Sequence, residues 1–393
     1  MYSKPIHDRV WAVGVADAAR RLFDALIPLP YGTSYNSYVV QGDAKTVLLD
    51  TADPSVRETY LSGLAPWPRL DYVVAHHAEQ DHSGLLPDVL ARHPEAVLLC
   101  SPKARAMLCD LLPLPAERIR TVEDGEPLDL GGRTLRFVHV PWVHWPETLA
   151  TFLEPERILF PCDMFGAHLP TPELFAREDA RSLPAARGYF AQILMPYAHV
   201  VRKDLEKVCA LHPAMIAPSH GPVHDDPAPI LAAYREWLHG APLNKVALPC
   251  VSMHGSTQAM ADRLAAELRR RGVAVETFDL AALPLDRFAS ALVDAATLVF
   301  AAPAVWNAPH PAALFAALVA GGLKPKAPWG ALIGSYGWGA KALENPAELL
   351  PGLKVEFLPS VHARGRPGPE ALAALDALAE TIAAKHGTAG LRA

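Results

Sequence analysis

Val73-Val74-Ala75-His76-His77-Ala78-Glu79-Gln80-Asp81-His82 decides the reading of this chain. An apolar, β-branched run ends in a burst of imidazoles and carboxylates. From His77 onward the pattern H-x-E-x-D-H sets three such side chains on alternate positions, with a fourth next door. Gathering that much charge without a cation is costly through repulsion and desolvation, so a metal is the economical explanation. A lone histidine has a blander reading as a satisfied surface or core residue, and 17 histidines offer chance matches. Three further stretches need a joint explanation with the first: His144-Trp145-Pro146-Glu147, Leu159-Phe160-Pro161-Cys162-Asp163 and Ala217-Pro218-Ser219-His220-Gly221. Each follows an apolar strand-like run, the one before His144 being interrupted by Pro141. Loops at the ends of neighbouring strands are where a sheet can bring distant residues to one point.

The composition narrows the rest. The chain has 393 residues, with 36 basic against 42 acidic side chains and a formal net charge of −6. At about 100–200 residues per domain, two domains are expected. With 51% apolar and 20% charged residues it has the means to build real cores, which excludes a mainly disordered chain. The mild acidity leaves no basic footprint for nucleic acid. No apolar run reaches the ~18 residues of a membrane helix, and Met1-Tyr2-Ser3-Lys4-Pro5 lacks the apolar core of a signal peptide. A soluble cytoplasmic protein without membrane or nucleic-acid partners is expected. Cys100, Cys109, Cys162, Cys209 and Cys250 show no CxxC spacing, which argues against a disulfide scaffold or a four-thiolate metal site. They read as small buried apolar residues. The 38 prolines, about twice the usual share, read as turn punctuation.

The two halves have different rhythms. Up to about residue 240, short strands mix with helices. Tyr35–Val40 and Thr46–Asp50 read as a pair across Gly42-Asp43, and Leu128–Leu130 with Thr134–Val140 as a hairpin across Gly131-Gly132. Leu149–Leu153 and Ile158–Phe160 read as another pair, and Pro87–Arg92, Lys103–Leu112 and Ala185–Leu211 as helical. From Lys245 onward, apolar strands (Val246–Val251, Val273–Phe278, Thr297–Ala301, Ala331–Gly334 and Val355–Leu358) alternate with helical segments, from Gln258–Arg271 to Pro369–Lys385. That alternation predicts a parallel sheet covered on both faces. The boundary falls within His239–Asn244, giving domains 1–240 and 245–393.

The second half carries its own site. Ser252-Met253-His254-Gly255-Ser256-Thr257 joins its first strand to its first helix. Small and hydroxyl residues let the backbone fold around a phosphate, and the helix N-terminus adds amide donors and a positive dipole end. Without the lysine of a Walker loop, a nucleoside triphosphate is disfavoured. Alone, this loop is equally readable as an ordinary strand–helix turn. Pro303-Ala304-Val305-Trp306-Asn307 and Ser335-Tyr336-Gly337-Trp338-Gly339 follow the third and fourth strands, where ligands bind in doubly wound sheets. Their aromatic side chains suit stacking on a flat ring. Pro249 lies inside the first strand, so a bulge or shortened pairing is expected there.

The first pattern, with a distant His, Asp and last His, resembles that of the metallo-β-lactamase fold, a four-layer αββα sandwich; Glu79 stands where the hydrolases carry a second histidine. The three later loops resemble flavodoxin, a doubly wound parallel sheet with strand order 2-1-3-4-5. Glu79 joined to a flavodoxin-like half is similar to the flavodiiron proteins (A-type flavoproteins), as is Gly32-Thr33-Ser34-Tyr35-Asn36-Ser37-Tyr38; the similarity spans about residues 10–385. It implies one iron on His77, Glu79 and His144, another on Asp81, His82 and His220, and Asp163 as the bridge. A mixed imidazole–carboxylate set suits a non-haem iron pair. It further implies FMN on the three loops and reduction of dioxygen to water, nitric oxide to nitrous oxide, or both. Two electrons from the flavin and two from the irons match the four that dioxygen needs.

The resemblance also implies a head-to-tail homodimer. With no rubredoxin-like CxxC module, it implies an external donor: rubredoxin, another flavoprotein or a reduced deazaflavin. A zinc hydrolase with an accessory domain and a flavin-only electron carrier are the alternative readings, separable by metal analysis. Among the neighbours, His76 reads as a sheet-edge residue, His168 and His224 as residues near the site, and Asp24 stands where many relatives carry a histidine.

Overall fold

The computed structural model describes residues 1–170, 173–282, 284–339, 343–350 and 352–392. The chain divides into two compact units, Met1–Leu238 and His239–Ala393.

The first unit holds two sheets. Seven strands lie in the order Tyr2–His7, Val10–Asp17, Thr33–Gln41, Thr46–Leu49, Tyr72–Val74, Val97–Cys100 and Ile119–Thr121. Five form the other: Pro127–Asp129, Thr134–His139, Leu149–Glu154, Ile158–Phe160 and Met215–Ile216. Their inner faces share one apolar cluster, with Tyr38, Val40, Val47, Leu49 and Val74 from the first sheet and Leu135, Phe137, Leu149, Leu153 and Phe160 from the second. The two-residue alternation that puts these side chains inward leaves the outer faces for helices, among them Arg57–Gly63, Leu86–Arg92, Pro102–Leu111, Ala198–Cys209 and Ala228–His239. The strands from Thr46–Leu49 to Ile119–Thr121 run parallel, as do Ile158–Phe160 and Met215–Ile216. Parallel strands finish on the same rim, so the loops that follow them meet.

The stretch 185–211 is not one helix. A helix over Ser182–Tyr189 widens into a π turn at Phe190–Leu194, tightens at Met195–Tyr197 and resumes at Ala198–Cys209. Pro196 lacks the amide a continuous helix needs there. His76 is not at a sheet edge either. It follows an interior strand, is 1% exposed, and lies against Asp50 and Thr151. Of the cysteines, Cys100, Cys162 and Cys250 are buried, whereas Cys109 is exposed.

The second unit is a parallel sheet in the order Ala274–Asp279, Leu243–Cys250, Ala295–Ala301, Trp329–Tyr336, then Glu356–Phe357 and Val361–Arg364, which is the order 2-1-3-4-5. Strand Ala295–Ala301 is buried throughout, as a strand covered on both faces must be. Met260, Leu264 and Leu268 of helix Ser256–Arg270 pack with Leu375, Leu378 and Ile382 of helix Pro369–Thr388 over Val246, Leu248, Val299 and Ile333. Pro249 causes no bulge but shortens the pairing, as its missing amide requires. The first strand pairs with Phe278 at Pro249, while toward its other neighbour one register holds at Val246↔Thr297, Ala247↔Leu298 and Cys250↔Ala301 and the pairing lapses at Leu248 and Pro249. The register shift lies instead between Leu243 and Val246.

His386 of the last helix anchors this unit. Its Nδ1–H donates to Asn244 Oδ1 (2.9 Å), its Nε2 accepts from Thr297 Oγ1 (2.8 Å), and its ring stacks on Trp329 at 5.4 Å. Both nitrogens are thereby committed in the neutral form, and burial lowers its pKa to about 4. An unfolded histidine titrates near 6.5, so the unfolded chain binds the extra proton first as the pH falls. Stability from this contact is therefore present at pH 7 and is lost between about 6.5 and 4. The expected loss is about 1–2 kcal/mol between pH 7 and 5. Amide exchange along Ala295–Ala301 will show it, and His386→Gln will flatten the dependence.

Candidate metal centre and flavin cleft

Each parallel strand of the first unit hands its last residues to the rim. Tyr72–Val74 delivers His77, Glu79, Asp81 and His82, the last two on the short turn Gln80–Ser83. Ile158–Phe160 delivers Cys162 and Asp163, and Met215–Ile216 delivers His220. His144 comes from the loop between Thr134–His139 and Leu149–Glu154. The structure brings all seven of the expected ligands together, each in ion-pairing distance of another (3.1–3.8 Å).

They sort into two groups around one carboxylate. Asp163 Oδ2 lies 3.8 Å from His77 Nε2 and 3.5 Å from His144 Nε2, while its Oδ1 lies 3.2 Å from His82 Nε2 and 3.4 Å from His220 Nε2. Glu79 Oε2 completes the first group at 3.1 Å from His77 and 3.2 Å from His144. Asp81 completes the second, with Oδ2 3.1 Å from His220 Nε2 and Oδ1 3.4 Å from His82 Nε2. His82 turns its Nε2 inward with the others.

The donor set fits a pair of cations. Both Asp81 oxygens are buried, with imidazole nitrogens nearby but no hydrogen-bond partner. A buried carboxylate left so is expensive unless a cation completes it. Burial opposes charge throughout the cluster, and the pairings override it. Hydrogen bonds and charges from Asp163 and Glu79 raise His144 to about 10. Glu147 and Glu79 hold His77 above its usual value, and Asp163 and Asp81 do so for His82. Glu79 and Asp163 are correspondingly pushed down by the imidazoles they face. Metal ions take the place of such protons when ligands deprotonate.

Residues beyond the ligands hold this arrangement. His77 Nδ1–H donates to Glu147 Oε1 (2.7 Å), which also accepts from the Ala78 amide (2.9 Å). His220 Nδ1–H donates to the Ser34 carbonyl (2.7 Å). Each bond leaves Nε2 for the centre, the usual carboxylate- or carbonyl-fixed tautomer of a ligating histidine. Tyr189 donates its hydroxyl to Asp163 Oδ1 (2.7 Å), and Cys162 Sγ lies 3.7 Å from His82 Nδ1. Glu147 was on view in the HWPE stretch, but nothing in the spacing tells a supporting acid from a ligand. Tyr189 carried no local signal at all.

The neighbouring histidines are structural in this frame. His168 is buried with Nδ1 3.0 Å from Thr33 Oγ1, and burial beside His220 keeps it neutral. His224 lies 3.1 Å from the Phe165 carbonyl, and burial lowers it to about 4. Asp24 is exposed at the tip of the hairpin Leu22–Phe23/Ile27–Pro28; partial desolvation and then the fields of Glu79 and Asp81 raise its carboxyl to about 6.

In the second unit a cleft of about 200 Å³ opens at the strand ends, lined by Ser252, Met253, His254, Ser256, Thr257, Pro303, Ala304, Ser335, Tyr336, Gly337 and Gly365. Thr257 Oγ1 and Ser335 Oγ, 2.8 Å apart, tie the first loop to the third. Gly255 donates its amide to Ser252 Oγ (3.1 Å) and precedes the helix that opens at Ser256. Hydroxyls at a helix N-terminus, with no acidic side chain in the lining, suit a phosphate monoester. Trp306 and Asn307 form the tip of a small hairpin between Ala304–Val305 and Ala308–Pro309, both at positive φ (54° and 58°). Trp306 and Trp338 are 83% and 73% exposed. Gly255, Val305, Trp306, Asn307, Trp338 and Gly339, expected at the flavin, do not line the cleft itself.

Comparison with known proteins agrees with this geometry. A family model described as ODP family beta lactamase matches residues 33–221. The coenzyme F420H(2) oxidase of Methanothermobacter marburgensis is 33% identical over 322 residues, 79% of each chain. The nitric oxide reductase of Moorella thermoacetica is 32% identical over 375 residues, covering 93% of this chain and 92% of the relative. Rubredoxin oxygen:oxidoreductase from Desulfovibrio gigas superposes with a TM-score of 0.94 at 28% identity, over 98% of this chain and 99% of its own. With a lactamase-like sandwich carrying a mixed imidazole–carboxylate cluster and a flavodoxin-like sheet in one chain, this protein belongs to the flavodiiron proteins, the type A flavoproteins.

Proposed function

We propose that this protein reduces dioxygen to water, nitric oxide to nitrous oxide, or both, at a non-haem diiron centre fed with electrons through FMN. The observation that carries it is Asp163, whose two oxygens face different imidazole pairs, each pair completed by its own carboxylate. His77, Glu79 and His144 would hold one iron, Asp81, His82 and His220 the other, with Asp163 between. When bound, the irons and flavin together supply the two or four electrons that these gases require. The chain's own part is positional: Glu147 and the Ser34 carbonyl hold imidazole tautomers, and Tyr189 steadies the shared carboxylate. Ser252, Ser256 and Thr257 would hold the FMN phosphate at the helix N-terminus, with Trp306 and Trp338 beside the ring.

Relatives named for oxidation of F420H(2), for nitric oxide reduction and for rubredoxin-linked oxygen reduction support an external donor of one of those kinds. A head-to-tail homodimer would cover the exposed Trp306 and Trp338, and free cysteines, Cys109 among them exposed, suit a reducing cytoplasm. The deciding experiment is stopped-flow mixing of the photoreduced, iron-loaded protein with each gas separately. Rapid reoxidation by at least one gas is expected. Failure to reoxidise with either, or two zinc ions and no iron per chain on purification, overturns the assignment.

A further inference from the structure

The stretch Ser34-Tyr35-Asn36-Ser37-Tyr38 has no ligand in it, yet it lies under the loop that carries His220. Strand Thr33–Gln41 meets Pro218–Gly221 through several bonds. Asn36 N–H donates to the Ser219 carbonyl (2.8 Å), and Gly221 N–H to Ser34 Oγ (2.8 Å). Asn36 Nδ2 donates to the carbonyls of both Pro218 (2.9 Å) and Gly221 (2.7 Å), one on each side of His220, and Tyr38 OH donates to Pro218 O (2.7 Å). From this geometry we infer that Asn36 is a positioning residue for His220, and so for the second metal position. It acts through the backbone of the loop and touches no ligand side chain. The inference rests on the diiron reading above.

An asparagine is the residue this task needs. One amide nitrogen offers two N–H donors, here spent on two carbonyls three residues apart. The orientation of the amide is set from the other side, where Tyr2 OH donates to Asn36 Oδ1. Tyr2 reaches it because Gly14 is its partner across the hairpin and also faces Asn36. A Cβ on Gly14 would lie 2.7 Å from the Tyr2 hydroxyl and 2.4 Å from the Tyr35 carbonyl. The far side of the loop is pinned as well. Gly221 has φ +77°, a Cβ there would come within 2.8 Å of Ala167, and Ala167 N–H donates to the His220 carbonyl (3.1 Å). Asn36, buried, and Tyr2, partly buried, therefore form a relay from the N-terminal strand to one metal ligand. His77, Glu79 and His144 reach the centre from other loops.

The test is anaerobic cobalt(II) titration of the iron-free, FMN-containing full-length protein, followed by the visible bands of bound cobalt. Wild type must take up two equivalents; fewer would count against the diiron reading itself, independently of Asn36. In Asn36→Asp the two donors give way to a carboxylate against two carbonyls, and the second equivalent should weaken about 10–100-fold while the first is unchanged, the scale of losing an outer-shell partner. Asn36→Ala removes the donors without adding charge and serves where the Asp variant folds poorly. Tyr2→Phe, which only frees the amide to rotate, should give a smaller loss at the same equivalent. Two unaltered equivalents in Asn36→Ala, or equal weakening of both, overturns the inference. FMN content and the melting transition of the second unit should stay as in wild type.

Discussion

Asp163→Asn will cut gas reduction by more than about 100-fold and lower bound iron to one or none per chain, with FMN content unchanged. Losing merely an outer hydrogen-bond partner of a ligand typically costs 10–100-fold, and Asp163 faces both imidazole pairs. The asparagine is isosteric, and its amide oxygen can still accept from Tyr189, which lies 2.7 Å from Oδ1 in the native chain. It nevertheless loses the charge and offers one acceptor where two are needed. Asp163→Ala goes further, leaving buried His77, His82 and His220 and partly buried His144 without their shared anion; breaking a buried ion pair in this way typically costs 3–5 kcal/mol. Iron analysis with stopped-flow oxidation checks the result. Retained turnover in Asp163→Asn would remove Asp163 from the bridging position.

Ser256→Asp will reverse the loss, leaving iron in place and weakening FMN by more than about 100-fold. Ser256 is the first residue of a fifteen-residue helix and lines the cleft. An acid in a helix's first turn stabilises it by about 0.3–1 kcal/mol, so the variant should fold at least as well as wild type. The same charge meets the phosphate at a few ångströms, where two unit charges repel by about 4 kcal/mol at an intermediate dielectric. Equilibrium fluorescence titration of the flavin-free protein with FMN and with riboflavin separates the causes. FMN affinity should collapse to near that of riboflavin, which has no phosphate to repel. An equal loss of both, or no loss, would place the phosphate elsewhere.

Much of the ligand set was legible because it is chemically crowded. His77, Glu79, Asp81 and His82 sit within six residues after an apolar strand, and no bland reading accommodates so many polar groups in a rim that is buried. The strands of the second unit were legible for a similar reason, since buried parallel strands read as unbroken apolar runs, while their order came only from the resemblance to flavodoxin. The supporting residues were not. Glu147, Tyr189 and Asn36 act across sequence separations of 70, 26 and 182–185 residues, and no local pattern marks them. The N-terminal hairpin Tyr2–His7/Val10–Asp17 escaped notice because its first strand is an edge with most side chains in solvent and a proline inside it. Cys162 looked like a core filler, and a small thiol gives no sign in one dimension that it borders His82.

The residue order alone showed two halves, a strand–helix alternation in the second and a metal-like cluster in the first, because hydrophobic period and clustered charge are local properties, written wherever they act; the sandwich and the iron chemistry came through the family resemblance that the motifs carry. Convergence settled the rest. Which oxygen of Asp163 faces which imidazole and which carbonyl fixes the His220 tautomer depend on loops arriving at one rim from strands far apart in the chain. Hydrogen bonds of about 3 Å select among such arrangements, and their partners are chosen by packing in three dimensions.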